Sequence, residues 1–202
     1  NFTHSYADGG PGGTARTITV SATDEDGTFT LGSKSLTVNN VAPSLTLSGN
    51  ASSNEGASYT LNLVASDPAG GNDPLSYSIN WGDGSAVENL TAAQLAAVSG
   101  NVTHAFADDE DGAVNSTART IVVTANDGDG GSTVQNKVVN VNNVAPTASV
   151  TGADAVSEGS VYALSVGAVS DPGTDTRTAY SINWGDGNTD TLTAAQWTAA
   201  AG

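Results

Sequence analysis

Tyr77 to Gly84 reads YSINWGDG, and the same eight letters return at Tyr180 to Gly187, 103 residues later. An aspartate between two glycines, just after a tryptophan, could be a catalytic acid, a cation ligand or the peg of a tight turn. Active sites are rarely duplicated along one chain, whereas structural modules often are. Trp81 and Trp184 are therefore expected at the end of a core strand. Asp83 and Asp186 are expected to cap backbone N–H groups of the turn that follows.

Working outward, the repetition extends over the whole chain. NNVAP stands at Asn39 and at Asn142, and NEGASYTL at Asn54 answers SEGSVYAL at Ser157. LTAAQ recurs from Leu90 and Leu192, and THSYADGG at Thr3 answers THAFADDE at Thr103. TARTITVSATDEDG at Thr14 matches TARTIVVTANDGDG at Thr117. Length changes fall in Gly/Asp-rich turns. Divided linker to linker, residues 1–40 are the back half of one module, 41–143 a complete module and 144–202 the front half of a third. The chain opens on Asn1 rather than Met, which reads as a fragment or processed product with any targeting signal elsewhere. It reads as a window on a longer array, or as half modules completed by neighbouring chains.

With 5 basic against 21 acidic residues the net charge is −16, which argues against nucleic acid as a partner. The absence of Cys excludes disulfides, thiol catalysis and thiolate metal sites. No apolar run is long enough for a spanning helix. The acids are mostly Asp, a residue suited to turns and to calcium.

Segments of alternating or β-branched residues lie between turn signals, as in a β-sandwich. Strands are expected at Pro43–Ser48, Ser58–Ser66, Leu75–Trp81, Val102–Phe106, Ala118–Asn126 and Thr133–Asn140. Turns are expected at Ser53–Gly56, Asp67–Pro74, Gly82–Ser85, Asp108–Asn115 and Asp127–Ser132. The core set is Tyr59, Leu61, Leu63, Ile79, Trp81, Ile121 and Val123. LTAAQLAAVSG (Leu90–Gly100) reads instead as a short helix, with Thr91 and Gln94 at capping-box spacing and Gly100 at C′.

YSINWGDG, THAFAD and TARTIVVTANDGDG together resemble the PKD (polycystic kidney disease) domain, an immunoglobulin-like β-sandwich. Its marks are a W-G-D-G or F-G-D-G turn, an H-x-Y/F strand and a valine-rich final hairpin. The resemblance covers nearly the whole chain, although the helical insertion is longer than the family's usual connection. It implies an all-β chain of tandem immunoglobulin-like sandwiches, with one short helix per module. It also implies a non-catalytic, extracellular or cell-surface role of the kind found in adhesins and secreted hydrolases.

The only histidines, His4 and His104, occupy equivalent strand positions, so no catalytic site is expected. Calcium is the sharper expectation, because loop aspartates and carbonyls supply its oxygen ligands. Alternating strands would place the Glu55, Asp83 and Asp108–Asp111 turns at one pole. Stacked modules would then gather Glu55, Asn142, Asn143, Asp171 and Asp175, a layout similar to cadherin arrays. The other pole would gather Asn39, Asn40, Asp67, Asp73, Asp127 and Asp129. Against this, Asp67 and Asp171 could simply open Asp-Pro turns.

The expected role is a structural repeat of an extracellular bacterial adhesin, spacer or fibre, whose partners are neighbouring copies of the module. One alternative is a self-assembling filament subunit whose half modules are completed by neighbouring chains. Another is an accessory module of a secreted hydrolase that binds carbohydrate or protein, with Trp197 as its contact residue. Of five N-x-S/T sequons, at Asn1, Asn50, Asn89, Asn101 and Asn115, most would stay bare in a bacterial source, with a glycan left open at the equivalent positions Asn1 and Asn101.

Overall fold

The computed structural model describes residues 1–109 and 115–201. Glu110 and Asp111 of the expected Asp108–Asn115 turn, and Gly202, lie outside them. The chain is mostly β. Its strands are β1 (Thr14–Asp24), β2 (Gly27–Val38), β3 (Ser44–Gly49), β4 (Ser52–Asn54), β5 (Ser58–Ser66), β6 (Ser76–Asn80), β7 (Glu88–Thr91), β8 (Asn101–Ala105), β9 (Ser116–Asn126), β10 (Ser132–Asn142), β11 (Val150–Gly152), β12 (Leu164–Val166), β13 (Ala179–Asn183) and β14 (Thr189–Thr193). Two short helices, α1 (Ala92–Ala97) and α2 (Ala194–Ala201), follow β7 and β14. No helix among the described residues is long and apolar enough to cross a membrane.

Two compact units divide the chain. The first comprises 1–51, 59–104 and 118–139; the second comprises 52–58, 105–117 and 140–202. In the first unit, β3-β5-β8 forms one sheet and β10-β9-β6-β7 lies in another, a sandwich-like arrangement. Period-two alternation sends Tyr59, Leu61 and Leu63 of β5 inward, and Ile79 of β6 meets Val123 of β9 in register. All seven residues expected in the core are buried. Burying each large apolar side chain contributes about 1.5 to 3 kcal/mol.

The strand expectations hold to within two residues, but β4 and β7 were not foreseen. Ser53 and Asn54 fall in the expected Ser53–Gly56 turn, yet Ser52–Asn54 pairs in parallel with Asn140–Asn142 of β10 in the second unit. Helix α1 is shorter than Leu90–Gly100 suggests. Its capping box forms as read: Gln94 N donates to Thr91 Oγ1, and Thr91 N donates to Gln94 Oε1. The C-terminus shifts by one residue, with Ser99 rather than Gly100 at C′ in the left-handed region. Ser99 N bonds Ala96 O and Gly100 N bonds Leu95 O, the paired bonds of a Schellman motif.

The first unit also holds the β1–β2 hairpin, with a register shift between Val20 and Ser21. In the second unit, β11 pairs with β12 and β13 with β14. These pairings repeat those of the sandwich: Val150↔Val166 stands for Leu47↔Leu63, and Tyr180↔Leu192 for Tyr77↔Leu90. The repeat reaches single hydrogen bonds. Tyr59 donates to Asn50 O and Tyr162 to Ala153 O; Trp81 Nε1 donates to Glu88 and Trp184 Nε1 to Asp190.

Candidate functional site

In the first unit, loop carboxylates converge on Asp73. Asp73 and Asp127 are buried, and their ligand atoms lie with one of Asp67 inside a 4.8 Å group; Asp8, Asp73 and Asp129 form a second such group. Asp127 is committed structurally. Its Oδ1 accepts from Asp129 N (2.8 Å) and Gly131 N (2.9 Å), and its Oδ2 from Asn40 Nδ2 (2.8 Å). Burial alone would raise the Asp127 pKa, but these bonds together hold it below the ordinary range. Asp67 Oδ1 accepts from Ala69 N in the Asp-Pro turn, leaving Oδ2 buried with no hydrogen-bond partner. Asp73 Oδ2 is likewise buried and unpartnered. Burial, then the charges of Asp8, Asp129, Asp67 and Asp127, push the Asp73 pKa up.

In the second unit the centre is Glu55, which is buried. Its Oε1 accepts from Val144 N (2.6 Å) and its Oε2 from Asp109 N (3.3 Å), while its own N–H donates to Asn142 O. Glu55, Asp108, Asp109 and Asp175 each place a carboxylate oxygen within a 4.8 Å group. Thr174 Oγ1 donates to Asp108 Oδ2, and Asp108 Oδ1 is buried without a hydrogen bond. Both carboxylate oxygens of Asp171 and Oδ1 of Asn143 are in the same condition. Burial, followed by Glu55, Asp108, Asp171 and Asp109, raises the Asp175 pKa. The loop passes so close that a Cβ on Gly173 would collide with the Glu55 carboxylate.

A carboxylate taken out of water without a partner is unfavourable until a proton or cation neutralises it. All the donors here are oxygens, so a hard divalent cation is the matching ligand, and a flexible oxygen shell suits calcium. Asp73 and the Asp171–Asp175 pair are the groups left to bind, because Asp127 and Glu55 are largely spent on holding backbone.

The sequence pairing of Glu55 with Asp175, and of Asp67 and Asp73 with Asp127, corresponds to groups the structure brings together. Asp129 joins through Asp8 and Asp73 instead. Asn40 donates its Nδ2 to Asp127, and Asn142 supplies its backbone carbonyl to Glu55 N. Asn39 lines a small cleft with Asp8 and Asp67. Asp83 does not join the Glu55 group; it pairs with His104. Asp8, Asp108 and Asp109 were not among the expected ligands. The signal was available, since Asp8 in YADGG and Asp108 in FADDE hold the same place in the repeat.

The W-G-D-G turns carry the capping role expected of them. Asp83 Oδ1 accepts from Ser85 N (3.0 Å) and Asp186 Oδ1 from Asn188 N (2.9 Å). Trp81 is 2% exposed, in contrast to Trp184 at 40%. Trp184 falls short of the core position expected of it, because no described segment lies over it as β9 lies beside β6. Trp197 is half-buried, stacks on Tyr180 at 4.1 Å between ring centres, and lines a cleft of about 500 Å³ with Trp184.

No protein-family model matches the chain, and a comparison with curated proteins finds no match.

Proposed function

We propose that the chain is a stretch of a tandem array of PKD-type β-sandwiches, working outside the cell as a spacer or fibre and stiffened by calcium. The observation that carries this reading is the set of buried, unpartnered carboxylate oxygens on Asp67, Asp73 and Asp171. Asp67 and Asp73 belong to one cluster, and the charge of Asp171 acts on Asp175 of the other; Asp8 matches Asp108 in the repeat and Asp67 matches Asp171. A catalytic pair has no reason to recur at each junction, whereas a mechanical tie does. Neutralising the clusters would remove repulsion among acids that the net charge of −16 aggravates, and would fix the loops that supply them.

The test is calcium titration calorimetry on the metal-free 202-residue chain, with thermal melting in calcium and in chelator. Binding heat and a higher melting temperature in calcium are expected. Asp73→Asn should weaken one class of sites and Asp175→Asn another. No heat, and a melting curve indifferent to chelator, would remove the cation from the proposal.

A further inference from the structure

The carboxylates of the first unit form two groups rather than one. Asp8, Asp73 and Asp129 each place an oxygen within 4.8 Å of the others, and so do Asp67, Asp73 and Asp127. The two groups overlap only at Asp73. Oxygens held by a single calcium ion lie at most about 5 Å apart, twice the ion–oxygen distance. Each group therefore matches the shell of one ion, and the five acids together match two. Formal charge points the same way: one divalent ion offsets two of the five negative charges, and two ions offset four.

Asp73 is the residue placed to serve both groups. It is 2% exposed, its Oδ2 is buried without a hydrogen-bond partner, and it feels the charge of all four other acids. The remaining ligands divide by origin. Asp67 shares the DPAGGNDP loop between β5 and β6 with Asp73, and Asp127 stands in the turn between β9 and β10. Asp67 Oδ2 is buried and unpartnered, and Asp127 Oδ2 accepts from Asn40 Nδ2 with a second lone pair left over. Asp8 comes instead from the segment ahead of β1, where its Oδ1 accepts from Gly10 N. The Asp8 group thus joins that segment to the sandwich across the NNVAP linker. The pairing recurs in the second unit, where Asp108, the match of Asp8, shares a group with Asp175 of the second Asp-Pro loop.

We infer that the Asp73 carboxylate bridges two divalent cations, an inner one shared with Asp67 and Asp127 and an outer one shared with Asp8 and Asp129. The two ions have different tasks. The inner ion fixes the β5–β6 loop against the β9–β10 turn within one sandwich. The outer ion ties the segment before β1 to that sandwich. A single side chain thereby links the stiffness of the sandwich end to the tie across the linker. This rests on the cation reading proposed above, and adds the number of ions and the residue that couples them.

Equilibrium dialysis of the 202-residue chain tests it, with bound calcium counted by atomic absorption at a free level that just saturates the wild type. Asparagine keeps an acceptor oxygen for each turn but loses the charge, which should weaken its site by about tenfold or more. Asp67→Asn and Asp8→Asn should each lose one ion relative to wild type, and the double variant should lose two. Asp73→Asn alone should also lose two. Ions held at the Glu55 cluster are common to every chain and cancel from these differences. Near-ultraviolet circular dichroism of the Trp81 sandwich reports that each variant folds. If the double variant and Asp73→Asn each lose a single ion, one ion serves the whole cluster and the bridge is overturned, while calcium binding stands. If the double variant loses two and Asp73→Asn only one, two ions bind without a shared residue, which overturns the bridge as well. A wild type that binds no calcium removes the bridge and the cation reading together.

Discussion

His104 Nε2 lies 2.6 Å from Asp83 Oδ2, and the same imidazole stacks on Trp81 with its ring tilted by only 8°. A carboxylate can only accept, so Nε2 carries the proton. The turn aspartate thus has two tasks, capping Ser85 with Oδ1 and orienting the ring that covers the tryptophan with Oδ2. Asp83→Ala removes both and should destabilise the sandwich by about 1 to 3 kcal/mol. Burial pushes the Asp83 pKa up, but the bonds from Ser85 and His104 outweigh it and leave the pKa below the ordinary 3.8. Its contribution is therefore present above that value and lost as pH falls through the lower native one. Urea unfolding of wild type and variant across acidic pH should show the gap between them closing only below about pH 4.

Gly82 and Gly185 differ in what a side chain would meet, although their backbones agree. An alanine at either pays the left-handed penalty of about 1 to 2 kcal/mol. At Gly82 it must also displace the Thr120 carbonyl of β9. Gly82→Ala should therefore lower the melting temperature of the Trp81 sandwich clearly more than Gly185→Ala lowers that of the chain. Equal losses would mean that the approach of β9 relaxes at little cost.

The sandwich was legible because its strands alternate and its turns carry Gly, Asp and Asn at every bend. Tyr59, Leu61 and Leu63 could be placed inward from spacing alone. Ser52–Asn54 could not, since three polar residues become a strand only because β10 runs beside them. Distance hid the Asp83–His104 pair as well, as 21 residues and a helix separate the partners. For the carboxylate clusters, pole sorting placed Glu55 beside Asp175 and Asp67 beside Asp73 and Asp127. It also put the Asp108–Asp111 turn at the Glu55 pole without naming Asp108 or Asp109 as ligands, and it left out Asp8, which the repeat matches to Asp108. The exposure of Trp184 was hidden for another reason: its letters are those of Trp81, and burial depends on what lies over them.

The capping box offers a local test that leaves the clusters untouched. Thr91 and Gln94 exchange backbone and side-chain bonds at the start of α1, and Thr193 with Gln196 does the same before α2. A six-residue helix has little intrinsic stability and depends on this cap and on the buried Leu95. Thr91→Ala should cost about 1 kcal/mol, and Leu95→Ala about 2 to 5 kcal/mol. Chemical denaturation would read both. Thr91→Ser, which retains the hydroxyl acceptor, should recover most of the first loss.

Protons and cations should compete at Asp73 and Asp175. Both pKa values are raised by burial first and by surrounding carboxylates second, so the metal-free native state holds these protons more tightly than the unfolded chain does. Stability then rises as pH falls from neutral through the raised values toward 3.8, the reverse of ordinary acid denaturation. Below that point the depressed groups Asp83, Asp127 and Asp186 take over, and stability falls. In chelator, urea midpoints should therefore peak on the acidic side of neutrality. Falling net charge also relieves general repulsion on the way down, but that part is shared by every carboxylate. Asp73→Asn removes one specific contribution and should flatten the rise. Saturating calcium should flatten it as well, because the ion then does what the proton did. A midpoint that falls steadily with acid in chelator, in wild type and Asp73→Asn alike, would show that these carboxylates are not under strain.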